Sequence, residues 1–131
     1  MNQESGNNKI KSFTHLVAWQ EGHKLVLMIY KITKTFPKEE MFCLVNQMRR
    51  CAVSITSNIA EGFSRQYYKE KIQFYSIAHG SITELQNQLV ISRDVNYIIS
   101  EEFQKIAKQS ITVHKIISGL IKKSKTIIPN S

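Results

Sequence analysis

The amino-acid sequence predicts an all-α protein that folds as an antiparallel, up-down-up-down four-helix bundle. Apolar residues recur at helical spacing in four long stretches, and short segments that disfavour helix separate them. The chain of 131 residues has only two prolines and five glycines, too few for an all-β protein built on tight turns. No segment outside the helical pattern carries a strand signal.

We assign residues 13–125 to this bundle, as one domain with a single core. Residues 1–12 are polar and are expected to form a disordered tail, and residues 126–131 are expected to fray. The tail lacks the apolar segment of a secretion signal, and no apolar run approaches the roughly 20 residues that span a bilayer. We therefore expect a cytoplasmic protein with no membrane partner.

The first helix is predicted over residues 15–35. Its apolar stripe consists of Leu25, Met28, Ile29, Ile32 and Phe36. Phe36 precedes Pro37, and a residue before proline is pushed out of the α region, so the helix should end here.

The second helix follows Pro37, with Glu39 and Glu40 in its first turn, where their charges complement the positive end of the helix dipole. It carries the segment QMRRCAVSITSNIAEG, residues 47–62, in which apolar positions at helical spacing alternate with poor helix formers. Small residues in this segment would let helices approach closely. We expect the helix to stop near Glu61, with Gly62 as a left-handed cap.

Two cysteines, Cys43 and Cys51, lie on this second helix. Eight residues at the helical rise place them about 12 Å apart, beyond disulfide reach. They are interpreted as small buried hydrophobic side chains.

The third helix is predicted over residues 69–93 and contains Gly80 near its middle. A glycine there costs about 1 kcal/mol relative to alanine, so we expect it to allow close approach of another helix. After a turn over residues 94–97, Ser100 is expected to cap the fourth helix, with Glu101 and Glu102 in its first turn.

The sequence contains no recognisable catalytic, metal or cofactor site. The Glu-x-x-His pairs of di-iron bundles are absent, and so are a phosphate-binding loop and a nucleophile elbow. The four histidines are scattered over three helices, with no pair at i,i+4 spacing. His79 and Ser81, followed by Glu84, share one helix without a strained turn, so we expect no enzyme, no metal and no cofactor.

The strongest functional signal is the charge. The chain has 18 basic and 10 acidic residues, giving a net charge of +8, which favours an anionic partner. Heptad-spaced lysines predict basic faces on the first and fourth helices that could follow a phosphate backbone of RNA or DNA, without reading bases. The candidate nucleic-acid-binding residues are Lys24, Lys31, Arg49, Lys105, Lys108, Lys115, Lys122 and Lys123.

The adjacent arginines receive different interpretations. Arg50 lies near the apolar stripe and is expected to join a polar network with Asn58, Glu61 or Glu84, as an ion pair or a subunit contact rather than a phosphate ligand. Arg49 is displaced by about 100° and should face outward. For Trp19 and the pair Tyr67-Tyr68, core or interface packing is favoured over stacking on bases.

Several motifs together resemble a known family. Trp19-Gln20, FPKEE at 36–40, QMRRCAVSITSNIAEG at 47–62 and IAHGSITELQNQL at 77–89 occur in the order seen in a bacterial four-helix-bundle family. That family includes the proteins encoded in 23S ribosomal RNA intervening sequences and the accessory variability determinants of diversity-generating retroelements. The resemblance covers roughly residues 13–120.

The resemblance implies a protomer that assembles into a homopentameric ring with a basic, nucleic-acid-binding surface. In the retroelement branch the ring also binds a reverse transcriptase. The residues assigned to structure or to the oligomer interface are Trp19, Arg50, Asn58, Glu61, Gly62, Gly80 and Glu84.

Two functions follow as expectations. The first is a non-enzymatic, homo-oligomeric bundle that binds nucleic acid through its basic helix faces. The alternative is a protein-binding adaptor, such as an accessory subunit of a reverse transcriptase, in which charge mainly steers association.

Overall fold

The structure is a computed structural model and describes residues 12–128. A 3-10 turn at Phe13–His15 precedes helices α1 (Val17–Thr33), α2 (Asn46–Ser64), α3 (Tyr68–Asp94) and α4 (Ser100–Ile127). A 3-10 turn at Lys38–Glu40 and a π-helical turn at Met41–Val45 lead into α2. The expected tail at 1–12, except Ser12, and residues 129–131 of the expected frayed end lie outside the described residues.

The four helices form a closed bundle in which α1 packs on α2, α2 on α3, α3 on α4 and α4 on α1. No strand occurs between residues 12 and 128. Short connections place consecutive helices antiparallel, so the predicted four-helix fold class is confirmed. Each helix contributes side chains that are at most 1% exposed to one core: Leu25, Ile29, Met48, Ile55, Ile59, Ile82, Leu85, Leu89, Val113 and Ile117.

The two loops at one end of the bundle are tied together. The Tyr97 hydroxyl, after α3, donates a hydrogen bond of 2.8 Å to Oε2 of Glu40, before α2. The Tyr97 ring lies 5.2 Å from the ring of Phe36. Asn96 adopts a φ of 67°, the left-handed turn conformation that reverses the chain between α3 and α4. This end is therefore held by both polar and aromatic contacts.

Two predicted helix ends are wrong. Gly62 is not a left-handed cap, because it lies inside α2, which continues to Ser64 and ends where Arg65 is extended. Ser100 is the first residue of α4 rather than its cap; Ile99 occupies the cap position and makes no side-chain capping bond.

The structure also corrects the interpretation of Gly80. A Cβ added there would meet nothing within 4 Å among the described atoms, so Gly80 does not admit another helix of the same protomer. The close approach occurs at Gly62 instead, where a Cβ would lie 2.6 Å from Cε1 of the buried Tyr75.

Cys43 differs from its prediction as well. It is exposed on the π-helical turn, where one extra residue per turn rotates it away from the core, whereas Cys51 is buried as expected. Glu40 supports this turn, because its Oε1 accepts a hydrogen bond of 3.3 Å from the Leu44 backbone N–H.

Substitution of the two helical glycines by alanine should have opposite effects. Gly62→Ala should lower the free energy of unfolding by about 1–2 kcal/mol, because an overpacking cost of up to about 3 kcal/mol exceeds the gain in helix propensity. Gly80→Ala has open space around it and should raise the free energy of unfolding by about 0.5–1 kcal/mol. Urea unfolding followed by circular dichroism measures both. Equal stability of the two variants would contradict the close packing at Gly62.

Candidate nucleic-acid interface

The outer face of α4 carries an exposed row of lysines. Lys108, Lys115 and Lys122 are seven residues apart, which places them on one side of the helix at intervals of about 10.5 Å. The opposite side of α4 enters the core through Ile106, Val113 and Ile117. Because the buried side is fixed by packing, the three ammonium groups must project into solvent together. We call these three residues the α4 lysine row.

After its first turn, α4 carries charges of one sign. Six lysines and no acidic residue follow Glu102 in the chain. The candidates Lys105 and Lys123 are exposed and flank the row, and the Lys105 Nζ lies 3.9 Å from Oε2 of Glu102. The four lysines that the heptad spacing placed on one face are therefore exposed, and so is Lys123, which lies beside them.

On α1, Lys24 and Lys31 are exposed as predicted, but Lys24 is partly neutralised. Its Nζ lies 2.8 Å from Oε2 of Glu21. Gln109 on α4 donates to the backbone oxygen of Glu21 at 2.9 Å and to its Oε1 at 3.1 Å. The hydrogen bonds from Lys24 and then from Gln109 lower the pKa of Glu21. The contacts of Glu21 with Gln109 join α1 to α4. Of the two α1 candidates, Lys24 is the one that pairs with an acidic residue in α1.

The predicted orientations of the two arginines are wrong. Arg49 turns inward: its Nε donates to Thr33 Oγ1 at 2.9 Å, and its guanidinium lies 4.8 Å above the Tyr30 ring. Arg49 thus links α2 to α1. Arg50 is exposed, and none of the salt bridges within residues 12–128 involves it.

Within residues 12–128, the polar network expected around Arg50 does not form, because Glu61 and Asn58 have other partners; a subunit contact of Arg50 stays a prediction. Glu61 pairs with Arg65 at 2.7 Å, and Asn58 Nδ2 donates to the Ser54 backbone oxygen at 2.8 Å. Arg50 and Glu84 instead line one shallow groove of about 320 Å³ on the surface between α2 and α3.

The small residues of α2 are used for packing against α3. The Cys51 thiol donates to the Ser81 backbone oxygen at 3.0 Å, and Ser54 Oγ lies 2.9 Å from Ser81 Oγ. Burial, followed by the negative charge of Glu84, raises the pKa of Cys51 to about 12, so the thiol stays protonated and unreactive at neutral pH.

His79 and Ser81 of α3 contact different helices. His79 Nε2 lies 2.9 Å from Ser118 Oγ on α4, and its ring lies 4.0 Å from the ring of His114. Ser81 contacts α2 instead. Burial, and then the charge of His114, lower the pKa of His79. Across the described residues, no group of three or more His, Cys, Asp or Glu side chains could hold a metal ion.

Trp19 packs within its own protomer, as favoured from the sequence. Its ring lies 4.6 Å from the His23 ring in a stacked arrangement and 5.4 Å from the Phe13 ring. It also contacts the core. Tyr67 does not pack into the core of its protomer, because 62% of it is exposed, and its packing at an interface stays a prediction.

A lysine-lined cleft that the sequence reasoning missed lies where α3 begins and α4 ends. It has a volume of about 690 Å³ and is lined by Lys69, Ile72, Gln73, Lys122, Lys125, Thr126 and Ile128. Lys125 follows Lys122 by one helical turn, a spacing that could have indicated it. Lys69 had no such signal, because the pairing of α3 with the end of α4 brings it there.

Lys71, which precedes the cleft residue Ile72 in the chain, caps the C-terminal end of α2. Its Nζ donates to the backbone oxygens of Phe63 at 2.8 Å and Gly62 at 3.3 Å. Burial lowers its pKa. Lys71 therefore satisfies helix-end carbonyls.

Within residues 12–128, no helix is long and apolar enough to cross a membrane. No curated protein matches the sequence significantly. Among solved structures, the chain is similar to a protein of unknown function from the S23 ribosomal protein family of Bacteroides thetaiotaomicron VPI-5482. The two share 24% identity and a TM-score of 0.75, over 81% of this chain and 96% of that chain. This similarity agrees with the four-helix fold.

A family model described as "23S rRNA-intervening sequence protein" matches residues 14–119, most of the bundle. The chain therefore belongs to the 23S rRNA-intervening sequence protein family.

Proposed function

We propose that this protein is a non-enzymatic nucleic-acid-binding bundle that contacts the phosphate backbone of RNA or DNA with the outer face of α4. The observation that carries the proposal is the α4 lysine row, exposed along one helix with no acidic residue after Glu102. Each lysine that neutralises a phosphate releases a counterion, which favours binding. Such a protein would act in the cytoplasm.

The chemistry of this face favours backbone contacts over base reading. Lysine ammonium groups are point charges, whereas base readout uses bidentate groups such as those of arginine, asparagine and glutamine on an element that enters a groove. The family description refers to a sequence within 23S rRNA, which makes RNA the first ligand to test.

Assembly into a homopentamer is part of the proposal. The surface of α2 and α3 offers features that a neighbouring copy could cover: the exposed Arg50 beside its groove, the open side of Gly80, and Ile77, which is 52% exposed. Five copies would carry a charge of +40 (5 × 8), which would strengthen attraction of a polyanion.

A second candidate is a protein-binding adaptor, for example for a reverse transcriptase. An apolar groove of about 340 Å³ between α3 and α4 favours it, because Leu89, Val90, Phe103 and Ile111 line this surface. In that case nucleic acid would bind weakly, and a protein ligand would occupy the groove.

The salt dependence of binding tests the α4 face. In Lys108→Gln/Lys115→Gln, the slope of log Kobs against log salt concentration for duplex binding should become shallower by about 1.8, because two phosphate contacts are lost. The matched control, Lys34→Gln/Lys38→Gln, removes two exposed charges elsewhere and should keep the slope of the parent protein. Fluorescence anisotropy titrations measure both.

Two results would overturn the proposal: the first would remove the assignment to the α4 face, and the second would remove nucleic-acid binding as a whole. One is an equal change of slope in the α4 variant and in its control. The other is affinity of the parent protein weaker than about 100 μM for both RNA and duplex DNA at low salt, which is below ordinary non-specific binding.

The mass of the native assembly tests the pentamer. Five copies of a 15.1 kDa chain give 75.5 kDa (5 × 15.1), which native mass spectrometry or light scattering resolves from other stoichiometries. We expect this mass at micromolar protein concentration. A species of 15.1 kDa under the same conditions would contradict assembly.

A further inference from the structure

The cleft between the beginning of α3 and the end of α4 combines two kinds of lining. Ile72 and Ile128 provide apolar surface, and Lys69 and Lys122 stand on α3 and α4 respectively. Its volume of about 690 Å³ lies in the range of small-molecule sites, which is about 300–1,000 Å³. A ligand that fits must therefore present a flat or apolar group and negative charge together.

A nucleotide has this combination of chemistry. Its base can lie against aliphatic side chains, and its phosphate can contact an ammonium group. The amide of Gln73, which also lines the cleft, has both donors and an acceptor for a base edge. A base within a duplex is stacked between its neighbours and cannot enter a cleft unless it is unstacked, which costs a few kcal/mol. The cleft therefore favours a base that is already unpaired.

An exposed aromatic residue is close to the cleft in the chain. Tyr67 is 62% exposed and comes two residues before Lys69, the first lining residue. Exposed rings beside basic groups are the usual platform for single-stranded nucleic acid, because every base can stack on them.

The cleft is continuous with the α4 lysine row. Lys122 belongs to both, and Lys115 lies about 10.5 Å before it along α4. A strand whose phosphates follow the row would therefore arrive at the mouth of the cleft.

We propose that this cleft is a subsite for one unpaired nucleotide of single-stranded RNA or DNA, with the Tyr67 ring stacking on a neighbouring base. The inference rests on the proposed function and adds to it a preference for single strands over duplexes. The lysine row binds backbone in either form, whereas the cleft accepts only an unpaired base.

Variants without a change of charge separate the cleft from the row. Tyr67→Ser/Ile72→Ser should weaken binding of a labelled single strand of about 12 nucleotides by about tenfold, because stacking and apolar contact are lost. Binding of the same sequence as a duplex should not change. The control, Phe42→Ser/Ile99→Ser, removes an exposed ring and an exposed isoleucine near the other end of the bundle and should bind both forms like the parent protein.

Because Ile72 is partly buried, a second measurement uses the unmodified protein. A thiouracil-labelled single strand is crosslinked to it by light, and the peptides are identified by mass spectrometry. We expect crosslinks within residues 67–73. Crosslinks confined to parts of the chain outside residues 67–73 and 122–128, the two segments that form the cleft, would overturn the cleft as a nucleotide subsite.

The outcomes distinguish the two proposals. If the parent protein binds neither single strand nor duplex, the proposed function fails and the cleft inference fails with it. If the parent protein binds both, and the Tyr67/Ile72 variant weakens neither or weakens both equally, only the cleft inference fails.

Discussion

The bundle depends on the close packing of α2 against α3 along a line of small side chains. Gly62 leaves room for the buried Tyr75 ring, and Cys51 and Ser54 make short contacts with Ser81. A Cβ at Gly62 would lie 2.6 Å from Cε1 of Tyr75, so a larger side chain there would push the two helices apart. The polar and small residues of the 47–62 segment are therefore largely used inside the protomer, where α1 and α4 complete a single core. The charged side chains lie mainly on the outer, solvent-facing sides of the helices.

The ion pairs of the bundle leave much of its positive charge uncompensated. All four salt bridges found within residues 12–128 join residues one to four positions apart in sequence. Such exposed local pairs contribute little to stability, about 0–1 kcal/mol each. None of these four pairs involves Lys108, Lys115 or Lys122, and Lys105 pairs with Glu102 in the first turns of α4. α4 has its two acidic residues in its first turn, so the rest of its outer face carries only basic charges. The proposed function assigns this basic face to a polyanionic ligand.

The helical spacing of apolar residues predicted the four helices and the core. The seven-residue spacing of the α4 lysines predicted that they share one side of the helix, because seven residues make almost two full turns. Tertiary contacts decided the rest. Arg49 was expected to face outward, but its long side chain reaches Thr33 on α1. Gly62 could not be recognised as a packing residue, because the ring it accommodates, Tyr75, belongs to another helix. The cleft at Lys69 could not be predicted for the same reason, since its lining residues come from the beginning of α3 and the end of α4.

Lysine footprinting shows directly whether the outer face of α4 binds nucleic acid. Acetylation of the protein is measured residue by residue with mass spectrometry, with and without saturating RNA. If this face binds RNA, the RNA should protect Lys108, Lys115 and Lys122, while Lys34 and Lys38 should be acetylated at the same rate in both samples. Unchanged acetylation of the α4 lysines in the presence of bound RNA would contradict it.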